Sequence, residues 1–173
     1  LEHRLIQWHL DRQWNSLKGL ASELGVLLFG DMPFYVSRDS ADVWSRRSLF
    51  SILPGGELEH QSGVPPDYFS ATGQLWGTPV YRWSRHRINH FNWWRMRFAR
   101  HLQQVDLIRL DHFRALESYW AVPGNKHTAE EGEWKASPGA DLLRLFRNDC
   151  GGRLPLVAED LGVKPSDVIE MEK

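Results

Sequence analysis

Carboxylates that close short apolar runs are the residues of this chain best placed to do chemistry. Val105 to Arg114 reads Val-Asp-Leu-Ile-Arg-Leu-Asp-His-Phe-Arg, and period-two alternation puts Leu107, Arg109 and Asp111 on one face with Ile108 and Leu110 on the other. Opposite charges sharing a face at the carboxyl end of a buried strand are costly unless they pair or act on something. For one Arg-x-Asp the plain reading is a buried ion pair holding strand to loop. A second run, Leu154 to Asp160, also ends in acids, and on it Val157 and Glu159 share a face. If both faces point inward, Asp111 and Glu159 meet across a strand gap of about 4.8 Å.

A carboxyl separation of about 5 to 5.5 Å suits retaining glycosyl transfer, in which one carboxylate attacks the anomeric carbon while the other protonates the departing oxygen. Arg109 beside Asp111 favours an ionised nucleophile. Glu159 has no basic neighbour in its own strand and faces the Asp111 charge, so it keeps its proton longer and serves as the acid. Once Asp111 is an ester its charge is gone, and Glu159 becomes the base. A purely structural pair of acids is the competing reading. Asp31, just past the apolar run Val26 to Phe29, reads equally well as a turn residue ahead of Pro33.

Three strands must position these acids. Leu10, Trp14, Leu17, Ala21 and Leu24 form the stripe of an amphipathic helix closed by Gly25, and Val26 to Phe29 follows as a fully buried strand. Val105 to Asp111 is the second strand and Leu154 to Ala158 the third. Between them, Ser84 to Gln104 has helical spacing with Ile88, Phe91, Trp94, Phe98 and Leu102 on one face, and Ala140 to Asn148 is a helix closed by Gly151-Gly152. Gly162 with Pro165-Ser166-Asp167 opens a further helix. Strands alternating with helices, each strand ending in a carboxylate, predict an α/β fold whose chemistry sits at the carboxyl edge, as in α/β barrels.

Residues 37–81 break the periodicity with Pro54-Gly55-Gly56, Pro65-Pro66-Asp67, Gly73 and Gly77, yet carry six aromatic residues from Trp44 to Tyr81. Disordered segments are poor in aromatics, so this is an ordered excursion over a site, with a short helix around Ala41 to Phe50. Tyr119 to Pro138 is a second long aromatic loop.

The chain has 173 residues, a formal net charge of -1, one cysteine and nine tryptophans. Its size fits one domain with a real core, and its near-neutral charge points to neither nucleic acid nor an acidic membrane surface. Cys150 alone gives no disulfide framework, which fits a reducing compartment, and no apolar run is long enough to span a bilayer. The tryptophan excess fits sugar-binding clefts or an aromatic core. The arginines between Arg82 and Arg100 lie opposite an apolar stripe and read as a solvated helix face rather than a nucleic-acid surface. The chain starts within one helical pattern and stops as another begins, so it reads as a piece of something larger.

Six stretches carry a resemblance: Gly30-Asp31-Met32-Pro33 with Tyr35-Val36; Gly63-Val64-Pro65-Pro66-Asp67-Tyr68-Phe69-Ser70; Gly73-Gln74-Leu75-Trp76-Gly77 with Pro79 and Tyr81-Arg82-Trp83; Arg109-Leu110-Asp111-His112-Phe113-Arg114; Tyr119-Trp120; and Ala158-Glu159-Asp160-Leu161-Gly162. In this order they resemble the 4-alpha-glucanotransferases (amylomaltase or disproportionating enzymes) of the alpha-amylase superfamily. Thr78 and Ala115 depart from residues more usual in that family. The resemblance implies that Asp111 is the nucleophile, Glu159 the acid/base, and Arg109 the support of Asp111. It implies that Asp31 and Trp76 line the sugar cleft, with His112, Tyr68 and Pro66 also binding substrate.

It further implies an α-1,4-glucan donor (a maltooligosaccharide, starch or a glycogen-derived glucan), a glucose or glucan acceptor, no cofactor, no metal, no nucleic-acid or membrane partner, and a cytoplasmic location. The implied fold is part of a (β/α)8 barrel, about three of its parallel strands, with residues 37–81 as a loop or subdomain insertion. Such a barrel takes eight strands in about 250 residues, and the family's third acid follows a His on a later strand. The expectation is therefore a central fragment of the catalytic barrel, with little or no transfer activity by itself. An α-glucan hydrolase and an inactive glucan-binding fragment are the alternatives.

Overall fold

The computed structural model describes residues 1–159; the helix expected after Gly162 and the motif residues Asp160, Leu161 and Gly162 lie outside them. Helix α1 (Glu2–Glu23) ends as the glycine predicts: Gly25 takes φ +69° and the Val26 amide donates to the Ala21 carbonyl at 2.8 Å. Its stripe packs only in part. Ala21 is buried and the Trp14 indole donates to the Gln104 carbonyl at 2.7 Å, while Leu10, Leu17 and Leu24 are exposed.

Strands β1 (Phe29–Met32), β4 (Leu107–Leu110) and β7 (Leu156–Ala158) form a parallel sheet with β4 in the centre. Asp31 pairs with Arg109, Arg109 with Val157, and Leu110 with Ala158. Alternation does what the sequence requires: Ile108 and Leu110 point into the core, fully buried, and Arg109 faces the other way. The sheet is anchored at its amino end by Lys18. Its ammonium donates to the carbonyls of Leu102, Gln103 and Val105 at 3.0 to 3.2 Å, capping the carboxyl end of helix α4 (Asn92–Gln104), and lies 3.6 Å from Asp106. Asp106 in turn accepts from the Leu28 amide at 2.8 Å.

Three expectations need correction. The first strand is not Val26 to Phe29 and is not buried on both sides: it lies three residues later, and Val26, Leu27 and Phe29 are exposed. Pairing with β4 sets its limits. Asp31 therefore sits within the strand rather than past its end. The helix expected over Ser84 to Gln104 is two, α3 (Trp83–Ile88) and α4, split where His90 and Phe91 adopt left-handed φ of 53° and 55°. The Phe91 amide donates back to the His86 carbonyl at 2.8 Å, a closing bond that re-aims the chain so that Phe91, Trp94 and Phe98 bury together while Ile88 is left exposed.

The third correction concerns the two aromatic excursions. They hold short helix α2 (Ala41–Ser45) and four strands, β2 (His60–Val64), β3 (Gln74–Pro79), β5 (Ser118–Pro123) and β6 (Glu133–Ala136), which pair antiparallel in the order β3-β2-β5-β6. Glycines and prolines broke the alternation that would have announced them, and β2 against β3 carries a register shift between Gln61 and Gly63. Gly73 opens β3 with φ +69°, and a Cβ there would stand 2.3 Å from the Val64 carbonyl oxygen, so only glycine closes this turn.

The tryptophan excess divides between core and surface. Trp93 and Trp94 are buried with Phe34, Phe50, Tyr81 and Phe98, while Trp44 is 85% exposed. The arginines of α4 are committed within the chain: Arg95 grips Asp149 through two 2.7 Å bonds, Arg100 pairs with Asp11 at 2.5 Å, and Arg97 donates to the Pro33 and Phe34 carbonyls. Among the described residues no helix is long and apolar enough to cross a membrane. Helix α5 (Gly139–Asp149) buries Leu142, Leu143 and Phe146, the last stacked on Phe98 at 4.2 Å.

Candidate active site

The carboxyl edge of the parallel sheet gathers one guanidinium and three carboxylates. Arg109, on the central strand, donates Nε and Nη2 to the two Asp31 oxygens at 3.1 and 2.7 Å, Nη1 to Glu159 at 3.1 Å, and Nη2 to Asp111 at 3.3 Å. The expected partnership of Arg109 with Asp111 is thus shared, with the two-point grip on Asp31 and the contact with Glu159 both shorter. The neighbouring strand gives Glu159 the basic contact that its own strand lacks.

The backbone places the two acids side by side. The Asp111 amide donates to the Met32 carbonyl at 3.1 Å and the Glu159 amide to the Leu110 carbonyl at 3.2 Å, continuing the ladder one residue past β4 and β7. The chain then turns sharply: His112 takes the left-handed conformation (φ 52°) and its amide donates to Glu159 Oε2 at 2.5 Å before a 3₁₀ turn over Phe113–Leu116. A non-glycine residue in this region is strained, and the strain aims an N–H at a carboxylate.

Asp111 and Glu159 each follow a residue of the paired register Leu110 to Ala158 and bond the same guanidinium, at 3.3 and 3.1 Å. Burial first, then the Glu159 charge, raise the Asp111 carboxyl above its ordinary 3.8 against the opposing pull of Arg109. The pull of Arg109 on the Asp111 carboxyl is thus outweighed by burial and by the Glu159 charge. The three carboxylates in turn hold Arg109 charged, the hydrogen bonds to Asp31 foremost.

These acids open into a cleft of about 740 Å³ whose walls include Tyr35, Gln74, Trp76, Asp111, His112 and Glu159. Of the residues singled out from the sequence, Trp76, Asp111, His112 and Glu159 line it, and Arg109 and Asp31 stand behind them as ion-pair partners. Pro66 and Tyr68 sit on the turn between β2 and β3, where Asp67 Oδ1 accepts from the Phe69 and Ser70 amides at 2.9 and 2.8 Å. That turn holds the Tyr68 and Phe69 rings edge to face, with Tyr68 98% exposed, while neighbouring Asp67 and Pro65 reach the cleft wall.

Sequence reasoning gave no role to Tyr35, Gln74 or Arg114, which also line the cleft. Recognition of β3 would have found Gln74, since Gln74, Trp76 and Thr78 alternate toward the cleft on one strand. Arg114 lies over the Trp134 ring with its guanidinium carbon 4.0 Å from the centroid, a contact between the turn after β4 and strand β6 that nothing local predicts.

Comparison with known proteins places this arrangement. A family model described as 4-alpha-glucanotransferase matches residues 1–173. A 4-alpha-glucanotransferase of Synechocystis sp. is 48% identical over 169 residues, which is 97% of this chain and 34% of that protein. One of Thermus thermophilus is 43% identical over 166 residues, 96% of this chain and 33% of its own. Amylomaltase from Streptococcus agalactiae, solved in complex with acarbose, superposes with a TM-score of 0.93 at 37% identity, covering 98% of this chain and 34% of that one. The chain thus spans about a third of the length of the relatives it matches.

Proposed function

The chain belongs to the 4-alpha-glucanotransferase family, and on that premise we propose that it supplies the nucleophile and the acid/base of an enzyme that moves α-1,4-glucan segments by a retaining double displacement. The observation that carries this reading is that Asp111 and Glu159 follow paired residues of adjacent strands and bond one guanidinium, at 3.3 and 3.1 Å. Inverting reactions need a water between the two carboxyl groups and a separation of about 6.5 to 9.5 Å. Residues side by side on strands about 4.8 Å apart fit the closer, retaining spacing instead.

The reaction then runs with one proton on the pair, carried by Glu159 when a glucan is in the cleft. The Asp111 carboxylate attacks the anomeric carbon as Glu159 protonates the departing glycosidic oxygen, and a glycosyl ester forms on Asp111. Glu159, now a carboxylate, takes the proton from an acceptor hydroxyl. That oxygen displaces Asp111 from the anomeric carbon, which restores both starting groups. Arg109, tied to Asp31, keeps positive charge beside the pair throughout. Trp76 offers its ring to a pyranose face and His112 a hydrogen bond to a sugar hydroxyl, while Pro66 and Tyr68 stand at the rim.

The donor is a maltooligosaccharide or a starch- or glycogen-derived glucan, and the acceptor glucose or another glucan. The relatives' names and the acarbose complex of the Streptococcus agalactiae protein support this. The three parallel strands belong to a (β/α)8 barrel in which residues 37–81 are an insertion carrying the cleft's outer wall. A cytoplasmic location agrees with the unpaired Cys150. In a polypeptide of the relatives' full length carrying this chain, maltotriose is expected to be redistributed into glucose and longer maltosaccharides; release of glucose and maltose with no longer product would make the protein a hydrolase instead.

Transfer over hydrolysis depends on keeping water from the ester until an acceptor arrives. Trp76, packed edge to face on His112 at 4.8 Å, lines the same cleft as the two acids. Trp76→Ala is expected to shift the products of that polypeptide toward hydrolysis, read as the ratio of glucose released to chains elongated. An unchanged ratio would remove Trp76 from this role.

A further inference from the structure

Three rings form one wall of the cleft: Tyr35 lies 6.0 Å from Trp76 and 6.1 Å from His112, and Trp76 stands nearly perpendicular to His112. Within that wall Tyr35 Oη and His112 Nε2 are both buried without a hydrogen-bond partner among the described residues. Buried polar atoms are almost always paired, and two orphans on touching rings of one wall are an observation to explain. Tyr81, stacked nearly parallel to Tyr35, shows the contrast: its hydroxyl donates to the Phe34 carbonyl at 2.5 Å.

We propose that Tyr35 is a positioning residue: its hydroxyl donates to His112 Nε2 across one water, and so fixes the imidazole as the Nδ1–H tautomer. The two ring centroids lie 6.1 Å apart with planes inclined at 33°, and both atoms are buried with no direct partner among the described residues. The donor and acceptor roles follow from protonation. Burial raises the Tyr35 phenol, with Tyr81 and Tyr119 adding to the effect, so it stays an O–H. Burial lowers the His112 imidazole to about 4, with the Arg114 charge acting the same way and the Glu159 charge opposing, so the ring is neutral and one of its nitrogens is an acceptor. The polar and charged groups that line the cleft with that ring are Tyr35 after β1, Asp67 on the turn before β3, Gln74, Trp76 and Thr78 on β3, Asp111 and Arg114 on its own turn, and Glu159 after β7. Tyr35 is the one among them whose uncharged donor is buried without a partner among the described residues.

The consequence deepens the proposed reaction and rests on that reading. With Nε2 occupied, the proton of His112 is on Nδ1, and the imidazole meets a sugar in the cleft as a donor of fixed direction rather than as a mixture of tautomers. Selection of a sugar hydroxyl by this histidine would then depend on a tyrosine that never touches the sugar.

The test is a long-range proton–nitrogen spectrum of the full chain with nitrogen-15 histidine, His112 being assigned by its loss in His112→Gln. Expected are a predominantly Nδ1–H imidazole with unprotonated Nε2, a slowly exchanging Tyr35 hydroxyl proton with an Overhauser contact to His112, and, in Tyr35→Phe, mixed tautomers with the titration midpoint moved up from about 4. An Nε2–H tautomer in the unsubstituted chain would overturn the proposal, as would a tautomer ratio that Tyr35→Phe leaves unchanged. Should Tyr35→Phe fail to fold, the tautomer and the hydroxyl contact of the unsubstituted chain decide alone. None of these signals depends on glucan transfer, so they stand or fall apart from the reaction proposed.

Discussion

Asp111→Asn is expected to lower glucan transfer by roughly 10⁴-fold or more in the full-length polypeptide and, at neutral pH, to raise the melting temperature. The first effect follows from the loss of the only attacking oxygen; the amide keeps the shape but forms no glycosyl ester. The second follows from the raised Asp111 carboxyl. A carboxyl whose folded pKa exceeds its unfolded value binds its proton more tightly in the native state. Stability therefore falls as pH rises from about 3.8 through the folded pKa, and the deficit persists above it. Asparagine removes the charge that burial and Glu159 oppose, and leaves Arg109 its contacts with Asp31 and Glu159. The stabilisation should shrink as pH approaches 3.8, where the native carboxyl is already neutral. Melting curves of both proteins across this range check it. A variant less stable than its parent at pH 7 would mean that Asp111 is held by Arg109 more than it is opposed by Glu159.

Trp94→Ala should cost about 3 kcal/mol or more of folding free energy, a large part of the roughly 5 to 15 kcal/mol available to a domain. Trp94 is fully buried and meets Phe34, Tyr81, Trp83 and Trp93 with centroids between 5.1 and 6.1 Å, the Trp83 ring lying nearly parallel to it. Arg97 adds its guanidinium 5.4 Å above the ring. The Trp94 indole N–H is itself buried without a partner among the described residues, so its removal offsets part of the loss, which is why the lower end of the usual range is expected. Urea unfolding of this variant beside Trp44→Ala makes the contrast. Trp44 is 85% exposed and its replacement should lie within about 0.5 kcal/mol of the parent. Equal losses at the two positions would mean that the aromatic cluster is not what holds the fold.

Period two was enough to place Arg109 and Asp111 on one face and to bring Glu159 opposite Asp111, because those facts depend only on strand alternation and on β4 and β7 being neighbours. What decides protonation was not legible. The grip of Arg109 on Asp31 crosses from β4 to β1, 78 residues apart in sequence, and the His112 amide on Glu159 requires a left-handed turn that no glycine announces. The second sheet escaped for a different reason. Its strands β2 and β3 are interrupted by Gly63, Gly77 and Pro79, residues that read as turn formers, and the pairing of β2 with β5 spans a distance no local pattern records. The break at His90 and Phe91 was hidden because Ile88, Phe91 and Trp94 keep helical spacing even though Ile88 ends up in water. The family resemblance reached the same acids from motifs alone, and the structure adds the ion pairs that tie both of them and Asp31 to Arg109.

The most direct test is capture of the glycosyl ester. A full-length polypeptide carrying this chain with Glu159→Gln, which cannot complete the second displacement, would be treated with a fluorinated α-glucosyl fluoride, digested and analysed by mass spectrometry. The double displacement proposed for this site predicts one glycosyl group, attached to the peptide containing Asp111. A label on Asp31, or rapid turnover of the fluoride to an inverted product with no labelled peptide, would contradict it.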